Sequence, residues 1–492
     1  GFHKRKGTPC WRARRLIFCV FQSVFPTNHN HPNRALENFI VEFTTSHSDS
    51  SSPLRNHHMT QTLPTSILEL SAADLKPTLE FAKWCDAHDP LSSFRDEFEI
   101  PRDQHGATQA YFVGNSLGLM PKAARTRVME ELNDWASMGA EGHMHGTRPW
   151  IRYHEFFRPG LAELAGALAH EVVAMNTLTT NLHFLMMSFY QPAGKRRKLL
   201  MERGAFPSDR FAVHSLVRML GGDPNADVIE VAPRDGEECL RNDDIVEAIT
   251  RAGDCLALVM LGGVQYYSGQ VLDMARITAA AHTIGAKCGW DLAHAIGNVR
   301  LALHDWNADF ACWCSYKYLN GGPGAVAGAF VHERHHANPP PRLEGWWGTN
   351  PATRFQMGPT FDPAAGADAW QVSNPPILSL APLLASFDIF HRAGLARMNA
   401  KSRAMSGFIE LSLRARDPKH LRILTPTATS ARGCQLSILV EGGTATAKKL
   451  FDTLLPKGIV CDFRHPGVVR AAPAPLYNTF QECWRLVEAL TA

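Results

Sequence analysis

The chain has 492 residues, of which 45% are hydrophobic and 20% charged, with a formal net charge of +3. That length can bury a large core and accommodates more than one domain, while no apolar run reaches the roughly 18–20 residues of a membrane span. The basic excess sits at one end: residues 1–58 hold eight Lys/Arg against three Asp/Glu, leaving 42 basic and 44 acidic residues in a near-neutral body that gives no argument for nucleic-acid binding.

Residues 1–58 differ in character from the rest. They are rich in Arg, Ser, His and Asn, lack sustained periodicity and carry no acidic residue before Glu37. The apolar stretch from Leu16 to Val20 is too short for a signal h-region or a span. Two readings are open, a mitochondrial transit peptide or upstream sequence joined in front of a start at Met59, and the second is preferred. Either way the segment is expected to be disordered. Residues 59–110 follow as an N-terminal helical segment.

Helix signals come next, at Pro121–Met138 and Ile151–Ala169, the first with proline at a first-turn position. From about residue 170 short apolar runs alternate with helical patterns. The runs are Glu171–Met175, Lys198–Met201, Asp227–Val231, Leu256–Leu261, Ala286–Trp290, Asp309–Cys314 and Ala327–Val331. Between them lie helices such as His183–Tyr190, Pro207–Leu220, Asp243–Ala252 and Met274–Ile284. Such alternation predicts a mostly parallel sheet covered by helices on both faces. After Pro376 a long helical stretch, interrupted near Gly394, leads to strands at Arg422–Leu424, Gln435–Val440, Ile459–Asp462 and Val468–Ala471, with helices at Thr444–Leu455 and Phe480–Leu490. The division expected is a large domain over 111–375 and a connecting helix plus small α/β domain over 376–492.

Two of these strands end on polar groups. Asp291 follows Ala286–Trp290, and Ser315-Tyr316-Lys317 follows Asp309–Cys314. In open α/β sheets ligands bind at that edge. A carboxylate at one strand end and a lysine at the next suit pyridoxal phosphate (PLP): the lysine forms the Schiff base, and the carboxylate keeps the pyridine nitrogen protonated so that the ring acts as an electron sink. A phosphate needs backbone N–H donors, which the run Asn176 to Asn181 before a helix can supply, although simple N-capping explains it as well. Phe206-Pro207-Ser208-Asp209 opens another helix, where Phe206 either stacks on a ring or staples the helix. Gly321-Gly322-Pro323-Gly324 lacks the spacing of a nucleotide loop and reads as a turn. Arg470 in its strand either snorkels to solvent or clamps a carboxylate.

The eleven cysteines are scattered and read as core thiols of a reducing compartment. His332, His335 and His336 are placed on an exposed loop rather than at a metal, and His143-Met144-His145 is read with the same caution.

From about residue 110 to its C-terminus the chain resembles the kynureninase family, PLP enzymes of tryptophan catabolism. The matching segments are Gly114-Asn-Ser-Leu-Gly-Leu119, Phe206-Pro-Ser-Asp209, Val264-Gln-Tyr-Tyr-Ser-Gly-Gln270, Asp291-Leu-Ala-His294-Ala-Ile-Gly-Asn298 and His304-Asp-Trp306. They continue through Cys312 to Asn320, Gly345-Trp-Trp-Gly348, Ser373-Asn-Pro-Pro-Ile377 and Pro473 to Asn478. The resemblance implies a fold-type I PLP enzyme, α/β with a mostly parallel seven-stranded sheet. Its expected reaction is hydrolytic Cβ–Cγ cleavage of L-kynurenine or 3-hydroxy-L-kynurenine to L-alanine plus anthranilate or 3-hydroxyanthranilate, a step towards NAD biosynthesis. It also implies a homodimer, a cytoplasmic location, and neither a metal, a membrane nor a nucleic-acid partner.

Position by position, the resemblance makes Lys317 the cofactor-bearing lysine, with Asp291 on the pyridine nitrogen and Tyr316 in contact with phosphate and relaying a proton. Leu178, Thr179, Phe206, Pro207, Ser208, Asp209, Gly262 and His294 would bind the cofactor, together with Trp346 and Asn374, which would also meet substrate. Arg470 would hold the substrate carboxylate, with His143 and Ser116 near the aryl group. The aromatic turn around Trp346 is a candidate contribution from the neighbouring subunit, and which chain supplies which residue stays open. Gly262 departs from the pattern, since relatives often carry Ser there, and Trp347 stands where Phe is also found. The rivals are another PLP enzyme such as a cysteine desulfurase or aminotransferase, and a non-catalytic PLP-binding protein.

Overall fold

The computed structural model describes residues 64–492, so the segment 1–58 lies outside the described residues. A two-residue strand, β1 (Ala110–Tyr111), precedes seven strands: β2 (Val172–Ala174), β3 (Lys198–Glu202), β4 (Val228–Val231), β5 (Leu256–Gly262), β6 (Lys287–Asp291), β7 (Phe310–Trp313) and β8 (Gly328–Val331). They form one sheet in the order β2-β8-β7-β6-β5-β3-β4. β8 runs antiparallel to both of its neighbours and every other pair is parallel.

All seven expected runs are strands. They are apolar along their length because helices cover both faces. Leu199 and Met201 join Phe310, Cys312 and the helix Leu178–Phe189 on one side, and Leu200 joins Val259, Trp290 and Trp313 on the other. The chain steps outward from β3 to β4, then returns to place β5 on the other side of β3. That reversal opens a crevice at the C-terminal ends of β3 and β5, where ligands bind in such sheets.

Three expectations are corrected. The helix expected over Ile151–Ala169 is a 3-10 segment, Trp150–Phe157, followed by a short α-helix, Arg158–Ala165, because Pro159 has no N–H to continue a ladder and restarts the helix in its first turn. The helix expected from His183 already begins at Leu178. The strand expected over Ile459–Asp462 is split in two, since the backbone changes partners at Cys461.

The C-terminal strands are β9 (Leu421–Ile423), β10 (Leu436–Val440), β11 (Ile459–Val460), β12 (Asp462–Arg464) and β13 (Val468–Ala471). β11 pairs in parallel with β1, while the others form an antiparallel sheet ordered β12-β13-β10-β9. Helices Leu395–Arg416 and Phe480–Thr491 share a core with this sheet and with an earlier helix, Leu79–Ala87, through Phe81, Phe408 and Phe480.

The cluster expected on an exposed loop is buried instead, with His332 at 6% and His335 at 7% exposure. Carboxylates draw both histidines in. His335 Nε2 and His282 Nε2 each lie 2.8 Å from the Asp309 carboxylate, which also accepts from Cys288 N and pairs with Arg334. Burial opposes the charge on Asp309, but the two histidines and Arg334 outweigh it and hold its carboxyl far below the usual range. A depressed folded pKa stabilises above the unfolded value and is lost as pH falls. Asp309→Ala is expected to cost about 3–5 kcal/mol in urea unfolding at neutral pH, because it strands buried donors. A loss under about 1 kcal/mol would contradict this role.

Glu171, His304 and His332 also converge, with one ligand atom from each lying within 4.8 Å of the others. Glu171 is already occupied by the N–H groups of Leu168 and Glu333 and by His304 Nδ1. The two imidazoles stack at 5.0 Å with planes 20° apart, so their in-plane lone pairs run side by side. This arrangement staples β2 to the turn after β8.

Candidate active site

A cavity of about 160 Å³ opens where the crevice was expected. Strand ends supply its floor: Glu202 closes β3, Gly262 closes β5, Asp291 closes β6, and Tyr316 and Lys317 follow β7. Two helix N-termini supply one wall. Thr177 is the N-cap of Leu178–Phe189, yet its side chain makes no capping bond, and Phe206 likewise precedes Pro207–Met219 without one. In the first turn of Leu178–Phe189 the amides of Leu178, Thr179 and Thr180 have no backbone acceptor among the described residues. In the second helix Pro207 has no N–H and Asp209 N donates to Phe206 O at 2.9 Å, which leaves Ser208 N. Both helices turn a positive dipole end to the cavity. The hydroxyls of Thr179 and Ser208 meet at 2.7 Å and join the two termini.

Lys317 Nζ lies 3.1 Å from His294 Nε2 and 5.9 Å from the rings of both Phe206 and Tyr316. Burial, and then the Lys317 charge, hold His294 well below its ordinary pKa. With the Lys317 amine donating, the neutral ring accepts at Nε2; its Nδ1 is buried with no partner among the described residues. The loop around Lys317 is kept in place by close backbone packing. Gly118 N donates to Tyr316 O at 2.8 Å, and a Cβ on Gly118 would come within 2.3 Å of Lys317 O. Only glycine fits there, which accounts for it in the Gly114–Leu119 segment. Burial, followed by Cys314, raises the Tyr316 phenol, so it remains a proton donor across the neutral range.

Three acids share the cavity. Asp291 is 6% exposed and its Oδ1 accepts from Ala293 N at 2.7 Å. Burial pushes both Asp291 and Asp209 up, and the Asp291 charge raises Asp209 further. Glu202 is missing from the sequence reading although it carries the same signal as Asp291, a carboxyl at the C-terminal end of a strand. Burial, then the Asp291 charge, push it up to about 8, and its Oε2 has no partner. A raised folded pKa stabilises below the unfolded carboxyl range and is lost as pH climbs through the folded value. The cofactor-free protein is therefore expected to lose stability between about pH 5 and 8, with Glu202 contributing on the order of 4 kcal/mol. Urea unfolding across that range should show a much shallower loss in Glu202→Gln. An unchanged slope in the variant would sink this assignment.

Of the residues singled out from sequence, Leu178, Thr179, Phe206, Ser208, Asp209, Gly262, Asp291, His294, Tyr316 and Lys317 line the cavity. Tyr266 lines it too, packing edge-on against Phe206 at 5.2 Å; its segment was legible but its place was not. A Cβ on Gly262 would sit 3.7 Å from Glu202 Oε1, an ordinary contact, so the cavity has room for the hydroxyl this chain lacks. Pro207, Ser116, His143, Trp346, Asn374 and Arg470 are not among the lining residues. Trp346 is 46% exposed, Ser116 and Asn374 are exposed, and His143 packs edge-on against Trp150 at 5.4 Å. Arg470 is 1% exposed, donates to the carbonyl of Tyr266 and pairs with Asp462, and burial pulls it down to about 10. Arg464 shares Asp462 at 3.1 Å, leaving one positive charge of the trio uncompensated near His294.

The sheet order and the strand-end lysine are those of fold-type I PLP enzymes. A C-DES variant with glycine covalently linked to its PLP cofactor has the same fold, with a TM-score of 0.66 at 18% identity, over 80% of this chain and 99% of that one. Among curated proteins, the kynureninase of Myxococcus xanthus (strain DK1622) is 52% identical over 83% of this chain and 96% of its own length. That of Flavobacterium psychrophilum is 49% identical over 84% and 97%. Residues 398–490 match the kynureninase C-terminal domain. The chain belongs to the kynureninase family.

The cavity fits PLP on its own chemistry. Uncapped helix amides with two hydroxyls suit a phosphate, and an aromatic ring stands at Phe206. A protonated pyridine nitrogen would relieve the crowded carboxyls, since a cation lets a buried carboxylate ionise.

Proposed function

We propose that this chain hydrolyses the Cβ–Cγ bond of L-kynurenine or 3-hydroxy-L-kynurenine, giving L-alanine and anthranilate or 3-hydroxyanthranilate. The observation that carries the reading is Lys317 Nζ held at 3.1 Å by a neutral His294 in a cavity floored by Asp291. Bound there, PLP supplies the electron sink that makes bonds at the substrate's Cα and Cβ labile. Leu178, Thr179 and Ser208 would hold its phosphate, Phe206 its ring face, and Asp291 its nitrogen, with Asp209 and His294 beside them.

Lys317 would take the proton from the substrate Cα. Water adds to the aryl ketone, the Cβ–Cγ bond breaks and the aroyl group leaves as the aromatic acid. Tyr316, whose phenol stays protonated, would serve as the acid in these later steps. The Arg470 and Arg464 pair would hold the substrate carboxylate, Asp462 keeping them together until it arrives.

We further propose a homodimer in which a second copy brings Trp346 to the site; Asn374, Ser116 and His143 would meet substrate there. The cytoplasm is the proposed location, and no described helix is long and apolar enough to cross a membrane. The proposed division remains a PLP-binding domain over 111–375, with a connecting helix and a small domain over 376–492.

The experiment is product analysis with the PLP-loaded protein offered kynurenine, 3-hydroxykynurenine and cysteine. Aromatic acid and alanine in equal amounts are expected from one or both kynurenines, with no sulfide from cysteine. Sulfide without aromatic acid would replace this reading with a desulfurase. Seven of the nine described cysteines are buried, which disfavours the mobile reactive thiol that chemistry needs.

A further inference from the structure

A second cavity, of about 200 Å³, lies apart from Lys317 between the helix Leu395–Arg416, the segment after Asn298 and the loop before β10. Its lining is polar and one-signed: Arg300, Arg403 and Arg432 surround it with Ser402, Thr429 and Ser430, and no carboxylate lines it. Arg300 and Arg403 are exposed and have no acidic partner among the described residues. Arg432 differs, being only 5% exposed. Its Nη1 is taken by Glu410 and by Pro426 O, whereas among the described residues its buried Nε has no partner and its Nη2 makes no hydrogen bond. The Nε–Nη2 edge is the one that grips an oxyanion with two parallel bonds.

A guanidinium this deep is costly to leave half-satisfied. Glu410 is shared by Arg432 and Arg414, so with Arg300 and Arg403 unpaired the cavity carries at least two unmatched positive charges. A single carboxylate would answer one of them, and a phosphate dianion answers both.

We propose that this cavity binds a phosphate group, either inorganic phosphate or the phosphate of a small monoester. The monoester would extend its organic part into the adjoining cavity of about 370 Å³, which shares Arg403, Thr429 and Arg432, adds the apolar Leu75 and Leu411, and is also lined by the paired Glu410 and Arg414. The site is one relay from the catalytic cavity: Cys434 N donates to Asn298 Oδ1 at 2.9 Å, and Asn298 Nδ2 donates to His294 O at 2.8 Å.

The test is calorimetric titration of the PLP-loaded protein with inorganic phosphate and with glycerol 3-phosphate, chloride matching the ionic strength throughout. One saturable site per chain is expected for at least one of the two. The affinity is expected to drop at least about tenfold in the Arg300→Gln/Arg403→Gln variant, with thermal midpoint and kynurenine turnover unchanged, as both side chains are exposed. Equal affinity for the two ligands identifies a site for the free ion, and preference for the ester identifies one using both cavities. No saturable binding, or binding indifferent to the double variant, overturns the proposal. The variant also keeps this test separate from the catalytic reading, because phosphate lodged beside Lys317 would not respond to it.

Discussion

Lys317→Ala is expected to lower kynurenine hydrolysis by about four orders of magnitude or more, to the limit of detection. Lys317 is the one lysine lining the cavity, and its amine is the sole base there that is both flexible and held by a neutral partner. Burial, and then the Lys317 charge, hold His294 well below its ordinary pKa, which makes the imidazole a poor proton acceptor. Alanine would remove both the proposed covalent anchor and the proposed base. The fold should survive, because the backbone contact of this loop, Gly118 N to Tyr316 O, does not involve the side chain. Single-turnover product release with unfolding measured alongside separates lost chemistry from lost structure. Hydrolysis within about a hundredfold of the parent would assign the lysine's role elsewhere.

Asp291→Asn is expected to cut kcat by about a thousandfold or more with a smaller change in KM. Asparagine keeps the shape and can still accept from Ala293 N, the bond that Asp291 Oδ1 makes at 2.7 Å. What it cannot keep is a negative charge, and the charge is what a protonated ring nitrogen needs. In the cofactor-free cavity burial disfavours that charge, and Asp209 beside it is raised too. The pair is therefore poised to ionise when a cation enters. A variant within about tenfold of the parent would show that the ring works without this carboxylate.

The stability changes expected for Asp309→Ala and Glu202→Gln have opposite pH signs, since one carboxyl is held below its ordinary range and the other above it. Unfolding measured across pH separates them without any activity assay.

Much of this architecture was legible because each strand of the main sheet is a short apolar run that helices bury on both faces. The edge of the proposed site was legible for a related reason, as Asp291 and Lys317 interrupt apolar runs where a sheet ends. What stayed hidden depends on partners that sequence does not display. Nothing at Cys461 announces that β11 pairs with β1 while β12 pairs with β13. His332 and His335 carry the composition of an exposed loop, and only the folded positions of Glu171 and Asp309 explain their burial. Glu202 was legible in principle, but its strand was expected to stop at Met201. Arg470 was read as either snorkelling to solvent or clamping a carboxylate, and its engagement by Asp462 crosses two strands of the small sheet.

The most direct test of the central claim is borohydride reduction of the PLP-loaded protein followed by peptide mapping. The account predicts one pyridoxyl group per chain, on Lys317 in the peptide that contains Ser315 and Tyr316. A stable label on any other lysine, or a folded protein that takes up no label, would contradict it.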